Sequence, residues 1–234
     1  MQLPQGLVEG NFLHRRNRFA AAVLVDGVLA VAHVPNSGRM AELLTPGAPV
    51  RLKPAPAGAL RKTAYDLVLV RYQARWVCVD SRMPPALVVE AWRSGLLGEL
   101  GGYQEVRGEV RFGKSRLDLC FRGEQGVCYV EVKSVNLVED GLALFPYAPT
   151  VRGVRHLMEL ERALEVGHGA AVVFVVQRDD ATALAPYREA DPEFGKTLDR
   201  VVAQGVGAYA IACSVTEVAI TPQKRIPVRV CSRD

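Results

Sequence analysis

The sequence predicts two units in tandem: a small all-β barrel, then an α/β unit with a mixed sheet and flanking helices. Three observations predict this. Roughly the first eighty residues alternate β-rich runs with Pro/Gly connectors and show no helical period. Near-helical spacing of apolar residues then begins at residue 81, and continuous aliphatic runs typical of a sheet covered on both faces follow it. With 234 residues, 49% hydrophobic and 23% charged, the chain can bury one large core or two modest ones and is not mainly disordered. The expected division is 1–82 and 83–234.

In the first unit, "RFAAAVLV" and "VLAVAHV" flank Asp26-Gly27, a pair suited to a tight hairpin. "APVRLKP", "TAYDLVLVRY" and "ARWVCVD" supply three more strands. Five short strands suit an OB-fold-like barrel, with a β-sandwich fragment as the alternative. The second unit opens with a helix in "SRMPPALVVEAWRSGLLGEL", where Leu87, Val88, Ala91, Leu96 and Leu97 recur with near-helical spacing. Strands follow at "EVRF", "SRLDLCF" and "CYVEVKSV". A helix in "TVRGVRHLMELERALEV" has Thr150 as N-cap and Leu157, Leu160 and Leu164 on one face. "AAVVFVVQ" reads as a buried strand, and "DPEFGKTLDRVVAQG" as a helix capped by Asp191 and stopped at Gly205. "AYAIACSV" is a further strand, and "VAITPQKRIPVRV" a final hairpin.

No apolar run approaches the ~20 residues that cross a bilayer, and the N-terminus lacks the order of a secretory signal, so a cytoplasmic location without membrane contact is expected. The cysteines, Cys78, Cys120, Cys128, Cys213 and Cys231, are odd in number and never spaced CxxC. That excludes a disulfide framework and a zinc ribbon, and most read as small buried hydrophobes. The net charge is +4, but residues 1–80 hold ten Lys/Arg and five Asp/Glu, which leaves −1 for the rest. A basic first third suits either a polyanionic partner or a merely solvated surface.

The strand "CYVEVKSV" carries Glu131 and Lys133 on one face, together with Tyr129 and Val135. The short connector "RGEQGV" makes a hairpin with "SRLDLCF". With the fold-back centred between Glu124 and Gln125, Asp118 lies opposite Glu131 and Arg116 opposite Lys133. Two carboxylates ~5 Å apart repel by roughly 3 kcal/mol at an effective dielectric of ~20. A divalent cation removes that cost, and oxygen-only ligands suit Mg²⁺ or Mn²⁺. Lys133 then stands where its ammonium can orient water or stabilise charge growing on a phosphate. The same spacing also fits a solvated sheet face.

Six segments in order, "FLHRRNRF", "HVPNSGRM", "RKTAYDL", "SRLDLC", "YVEVKSVNL" and "FPYAPTVRGVRHL", resemble the sugar fermentation stimulation protein A family. The likeness covers essentially the whole chain. It implies DNA binding, an OB-like first domain and a second domain like the PD-(D/E)XK nucleases, with Asp118, Glu131 and Lys133 at the nuclease core positions. One departure is Tyr147, where the family usually has Asp in "FPDA".

Other residues complete the expected site. Arg15, Arg16 and Arg18, before or within the first strand, alternate with Phe12 and Phe19 as a backbone-tracking surface would; the rings also suit a core. Arg39, Arg61 and Lys62 extend the basic path, and Arg116 joins them from the second unit. Arg152, His156 and Glu159 share one side of a helix. Arg152 is placed for a phosphate, His156 for a general base or a donor near the metal, and Glu159 for solvent. Glu90 is a candidate further acid, while His33 and His168 read as structural. The sequence thus points to a DNA-binding protein that contacts mainly phosphates and carries a Mg²⁺- or Mn²⁺-dependent nuclease site. The alternative is a non-catalytic DNA-binding regulator of sugar metabolism. A sugar-metabolising enzyme is left without support, since neither a nucleotide-binding glycine loop nor a hydrolase triad spacing is present.

Overall fold

The structure, a computed structural model, describes residues 1–56, 58 and 60–230, so Cys231 lies outside the described residues. The first unit contains β1 (Val8–Asn17), β2 (Ala20–Val25), β3 (Val28–His33), β4 (Pro49–Pro54), β5 (Tyr65–Tyr72) and β6 (Arg75–Cys78). Its sheet runs β3-β2-β1-β4-β5-β6, and a parallel pairing of β3 with β5 closes β1–β5 into a barrel. The Asp26-Gly27 hairpin forms as expected, with both residues at positive φ.

One strand was not expected. β1 precedes "RFAAAVLV" and lies centrally between β2 and β4, so Arg15 and Arg16 sit within it. Only Gly10 and Phe12 of its ten residues are buried, so its polar side hides the alternation. Gly10 is required there. A Cβ would lie 2.8 Å from the Leu24 carbonyl oxygen and 2.9 Å from Leu52 Cδ1. The fifth expected strand, β6, only extends β5 as a hairpin.

The second unit contains α1 (Pro84–Arg93), a 3-10 turn (Gly98–Leu100), β7 (Glu105–Phe112), β8 (Ser115–Gly123), β9 (Gly126–Val135), β10 (Val138–Glu139), β11 (Leu142–Phe145), α2 (Val151–Glu165), β12 (Gly169–Val176), β13 (Ala183–Pro186), α3 (Pro192–Ala203), β14 (Gly207–Val215) and β15 (Ile220–Ile226). Its main sheet runs β15-β14-β12-β9-β8-β7, parallel across β9, β12 and β14 and antiparallel at both edges. The first helix stops earlier than expected because Gly95 turns to φ +77°. The expected C-terminal hairpin is one strand, β15, on the edge of β14. A small β10-β11-β13 sheet is too short to show a period.

The helices cover opposite faces. Val130 and Val132 of β9 pack with Leu87, Val88 and Ala91 of α1. Tyr129 and Val135 pack in the core under α2 and α3, so Glu131 and Lys133 point towards α2. Thr150 caps α2 through Gly153 N–H (3.0 Å), and Asp191 caps α3 through Phe194 N–H (3.0 Å). The second Asp191 oxygen accepts from Thr150 N–H at 2.7 Å, tying the two helix starts together.

Barrel and sheet share a core, since Val68, Leu69, Trp76 and Cys78 belong to the same cluster as α1. Polar groups stitch the seam above it. Asn36 Nδ2 donates to Asn136 Oδ1 (3.0 Å), Asn136 Nδ2 to the Cys78 carbonyl (2.6 Å) and Gln177 Nε2 to the Asp80 carbonyl (3.2 Å). Among the described residues no helix is long and apolar enough to cross a membrane. The four described cysteines are buried free thiols, and burial pushes Cys78 up to about 12 and Cys128 up to about 11.

Candidate functional site

A cleft of about 360 Å³ opens between the barrel and the second unit. Asp118, Glu131 and Lys133 line it from the sheet, Arg18, Asn36 and Glu42 from the barrel, and Tyr147 and Arg152 from the entry to α2.

The strand geometry that builds it is irregular. The β8–β9 register is the one expected from the fold-back, but the ladder ends at Leu119–Val130, one pair before the acids. The β7–β8 ladder also skips Asp118, whose counterpart Glu109 has φ +53°. Strand alternation slips here: Leu119 and Phe121 pack towards α1, whereas Leu117 packs towards α2. Asp118 therefore stands free of backbone pairing on both sides, and its Oδ2 accepts from Val132 N–H at 2.8 Å. Asp118 and Glu131 reach one cleft through this kink rather than as a ladder pair. Arg116 is a correction as well: it pairs with Arg111 of β7, not with Lys133.

Glu131 is 3% exposed. Its Oε1 accepts from Lys133 Nζ at 2.7 Å and also bonds His156 Nδ1. Its Oε2 is buried without a partner. Arg152 Nε donates to His156 Nε2 at 3.3 Å, so that nitrogen is an acceptor and Nδ1 carries the proton to Glu131. Arg152 itself is exposed at the mouth. Burial, then the Glu131 charge, raises Asp118 to about 6. Burial also opposes Glu131 ionisation, but Lys133 and His156 outweigh it and hold Glu131 below its ordinary value. One carboxylate is thus settled as an anion, and the other is left crowded.

Among the described residues no group of three or more His, Cys, Asp and Glu side chains is arranged to hold a metal ion. Two carboxylates nevertheless fit Mg²⁺ or Mn²⁺, which commonly take one or two from the protein and fill the rest with water and substrate oxygens. The unpartnered Glu131 Oε2 and the strained ionisation of Asp118 are what such an ion would relieve.

Several expected residues lie elsewhere or are already engaged. Arg15 donates to the carbonyls of Gly38 (2.6 Å), Asn36 (3.1 Å), Arg39 (3.1 Å) and Arg18, which makes it a brace for the 36–39 loop rather than a free cation. Arg61 is paired with Asp66 at 2.7 Å, and His33 contacts the same carboxylate at 3.1 Å. Arg16, Arg39 and Lys62 are exposed, as is Arg18, which donates to the Ser37 carbonyl at 3.3 Å. Phe12 is core and Phe19 half exposed.

Glu90 lies on α1, across the sheet from the cleft, and pairs with the Met1 amine at 2.6 Å. Glu159 is not solvated. It is 7% exposed and accepts from Lys114 N–H at 3.1 Å, which pins the β7–β8 turn to α2. His168 packs edge-on to Tyr129 and Phe112. Sequence reasoning passed over Glu42, whose carboxyl oxygens are buried beside the Tyr147 hydroxyl and whose pKa burial raises. It faces Tyr147 across the cleft and had no motif to mark it.

The likeness to known proteins spans both units. The model described as "SfsA N-terminal OB domain" matches residues 13–79, and "Sugar fermentation stimulation protein RE domain" matches 82–219. A sugar fermentation stimulation protein homolog of Desulforamulus reducens is 45% identical over 228 residues, covering 97% of this chain and 94% of that protein. Its counterpart in Moorella thermoacetica is 46% identical over 222 residues, covering 94% and 96%. A solved structure, "The structure of Pyrococcus Furiosus SfsA in complex with Ca2+", superposes with a TM-score of 0.88 at 29% identity over 98% of each chain. With the barrel, the kinked hairpin and the matched segments in one order, the chain belongs to the sugar fermentation stimulation protein family.

Proposed function

We propose that this chain binds DNA chiefly through its phosphates and hydrolyses the phosphodiester with Mg²⁺ or Mn²⁺ at Asp118 and Glu131. The observation that carries this reading is the pair of carboxylates in one cleft, one with a buried oxygen lacking any partner, beside the Lys133 ammonium. The Pyrococcus furiosus relative is described in complex with Ca²⁺, another hard, oxygen-seeking cation, which supports a divalent site here.

A bound divalent ion supplies Lewis-acid polarisation of the phosphate and lowers the pKa of water. The chain's own residues do the rest. His156 donates to Glu131 Oε1 and fixes its carboxylate, leaving Oε2 without a partner. Lys133 holds the same carboxylate and offers its remaining protons to the charge that develops on a phosphate. Arg152 sits where a phosphate enters, at the start of α2, and the helix dipole adds to its attraction. Asp118 would hold such an ion as the second anionic ligand, its carboxyl crowded by burial and the Glu131 charge.

A second reading keeps the DNA binding and drops the cleavage. It is favoured by Tyr147, a phenol where the family usually has Asp. The test incubates the protein with supercoiled plasmid and short single strands in Mg²⁺, Mn²⁺ and EDTA. Metal-dependent cutting that vanishes in Asp118→Ala and Lys133→Ala, while DNA is still retained, supports hydrolysis. Retention without cutting in either metal leaves the regulator. A salt-insensitive affinity would remove the phosphate-tracking claim from both.

A further inference from the structure

The β7–β8 hairpin belongs to the main sheet over only part of its length. β8 bonds to β9 from Gly123 to Leu119, and there the pairing stops. β7 and β8 nevertheless go on pairing with each other, from Val110–Leu117 to Phe112–Ser115. The tip of the hairpin is therefore a two-stranded arm, and such a ribbon is marginally stable by itself. Asp118 and Glu109 form the joint between arm and sheet. Neither is paired in the β7–β8 ladder, and Glu109 takes φ +53°. The ribbon turns over at this joint, since Leu119 and Phe121 pack towards α1 but Leu117 and Phe112 towards α2.

Two kinds of contact hold the arm against α2. Phe112 and Leu117 pack in the core under the helix. At the turn Lys114 N–H donates to Glu159 Oε1 at 3.1 Å. Gly113, at φ +52°, approaches the same carboxyl so closely that a Cβ would lie 2.1 Å from Oε2. Three positions earlier on the helix, His156 holds Glu131. α2 thus grips both strands that carry the acids, one through His156 and the other through the arm.

We infer that Glu159 is a positioning residue for the metal site: by latching the arm to α2 it sets the angle at which Asp118 enters the cleft. The inference rests on the proposed function and adds to it a residue outside the lining of the cleft. Asp118 has no ladder partner to fix it, and its Oδ2 accepts from Val132 N–H at 2.8 Å only while the joint keeps its bend. Released from Glu159, the arm would swing about the joint and draw Asp118 away from that N–H and from Glu131.

The test compares wild type, Glu159→Ala and Glu159→Gln at temperatures where melting curves show them folded. Amide hydrogen exchange in EDTA reads the joint with no metal present. In Glu159→Ala the Val132 amide should exchange about tenfold faster or more, while the Val172 and Val173 amides at the sheet centre keep their protection. Glu159→Gln, whose side-chain carbonyl still accepts from Lys114, should restore it. Mn²⁺ affinity, followed by the paramagnetic resonance signal of the free ion, should fall about 10–100-fold in Glu159→Ala, the range for losing a group that orients a ligand. Should Glu159→Ala fail to fold, Gly113→Ala pushes the arm off from the turn side and is read in the same way. Val132 exchange or Mn²⁺ affinity that stays at the wild-type value overturns the latch while leaving the proposed function standing. Exchange raised equally across the sheet, or no rescue by Glu159→Gln, overturns it too. Wild type that binds no Mn²⁺ sinks the proposed metal site itself, and the latch's role with it.

Discussion

The cations of the barrel and those around the cleft look alike in the sequence and behave differently in the fold. Arg15 and Arg61 spend terminal guanidinium nitrogens on carbonyls and a carboxylate of the fold itself, with Arg15 Nε left over. At β9 and α2 the balance is incomplete, with a Glu131 oxygen unpartnered and Asp118 pushed up to about 6. The difference teaches that a charge spent mainly on the fold's own carbonyls and carboxylates braces it, whereas a carboxylate left short at the wall of an open cleft is placed to receive something else.

The largest expected effect tests the unfilled side. Lys133→Ala should lower metal-dependent cleavage by ~10²–10³-fold, the range for losing one preorganised electrostatic group, with melting temperature tracked alongside. Near-normal cleavage would place the chemistry elsewhere.

On the filled side, Arg15→Ala removes a guanidinium that serves four carbonyls, and should cost roughly 3 kcal/mol in urea denaturation. If it instead weakens DNA binding with no loss of stability, the contrast between the two regions fails.

Asp118→Asn sharpens the comparison through pH. The folded pKa lies above the ordinary value, so the stability contributed by this group is present at low pH and lost as pH rises through about 6. The Asn variant, measured without metal, should therefore be more stable than wild type at pH 8, by about 3 kcal/mol at most, and the gap should close below pH 6. Mn²⁺ should raise the wild-type melting temperature more at pH 7.5 than at pH 5, because it competes with that proton. A pH-independent gap would show that Asp118 is not crowded.

The smallest effect belongs to Arg18→Gln. This exposed side chain should change stability by less than about 0.5 kcal/mol, while DNA affinity falls measurably in low salt.

Much of the fold and of the site is legible in the sequence. The hairpin at Asp26-Gly27, the caps Thr150 and Asp191 and the face shared by Glu131 and Lys133 each follow from local rules that tertiary contacts leave intact. Where the reading fell short, a tertiary partner was responsible. β1 hides behind its polar side, and Glu159 looks like a solvent-facing residue until the β7–β8 turn folds onto it. Asp118 reaches the cleft through a kink, and no strand period announces a positive φ at Glu109. Glu42 belongs to the barrel and meets Tyr147 only after both units have closed on one another.

The seam of Asn36, Asn136 and Gln177 has one more consequence. Both walls of the slot are cross-tied through amides seated over a common apolar layer, so its aperture is fixed before any guest arrives. The entropic penalty of fitting then falls on the guest. Substrates should accordingly be ranked by how readily they bend or unstack, and stiff ones rejected however well their charge suits.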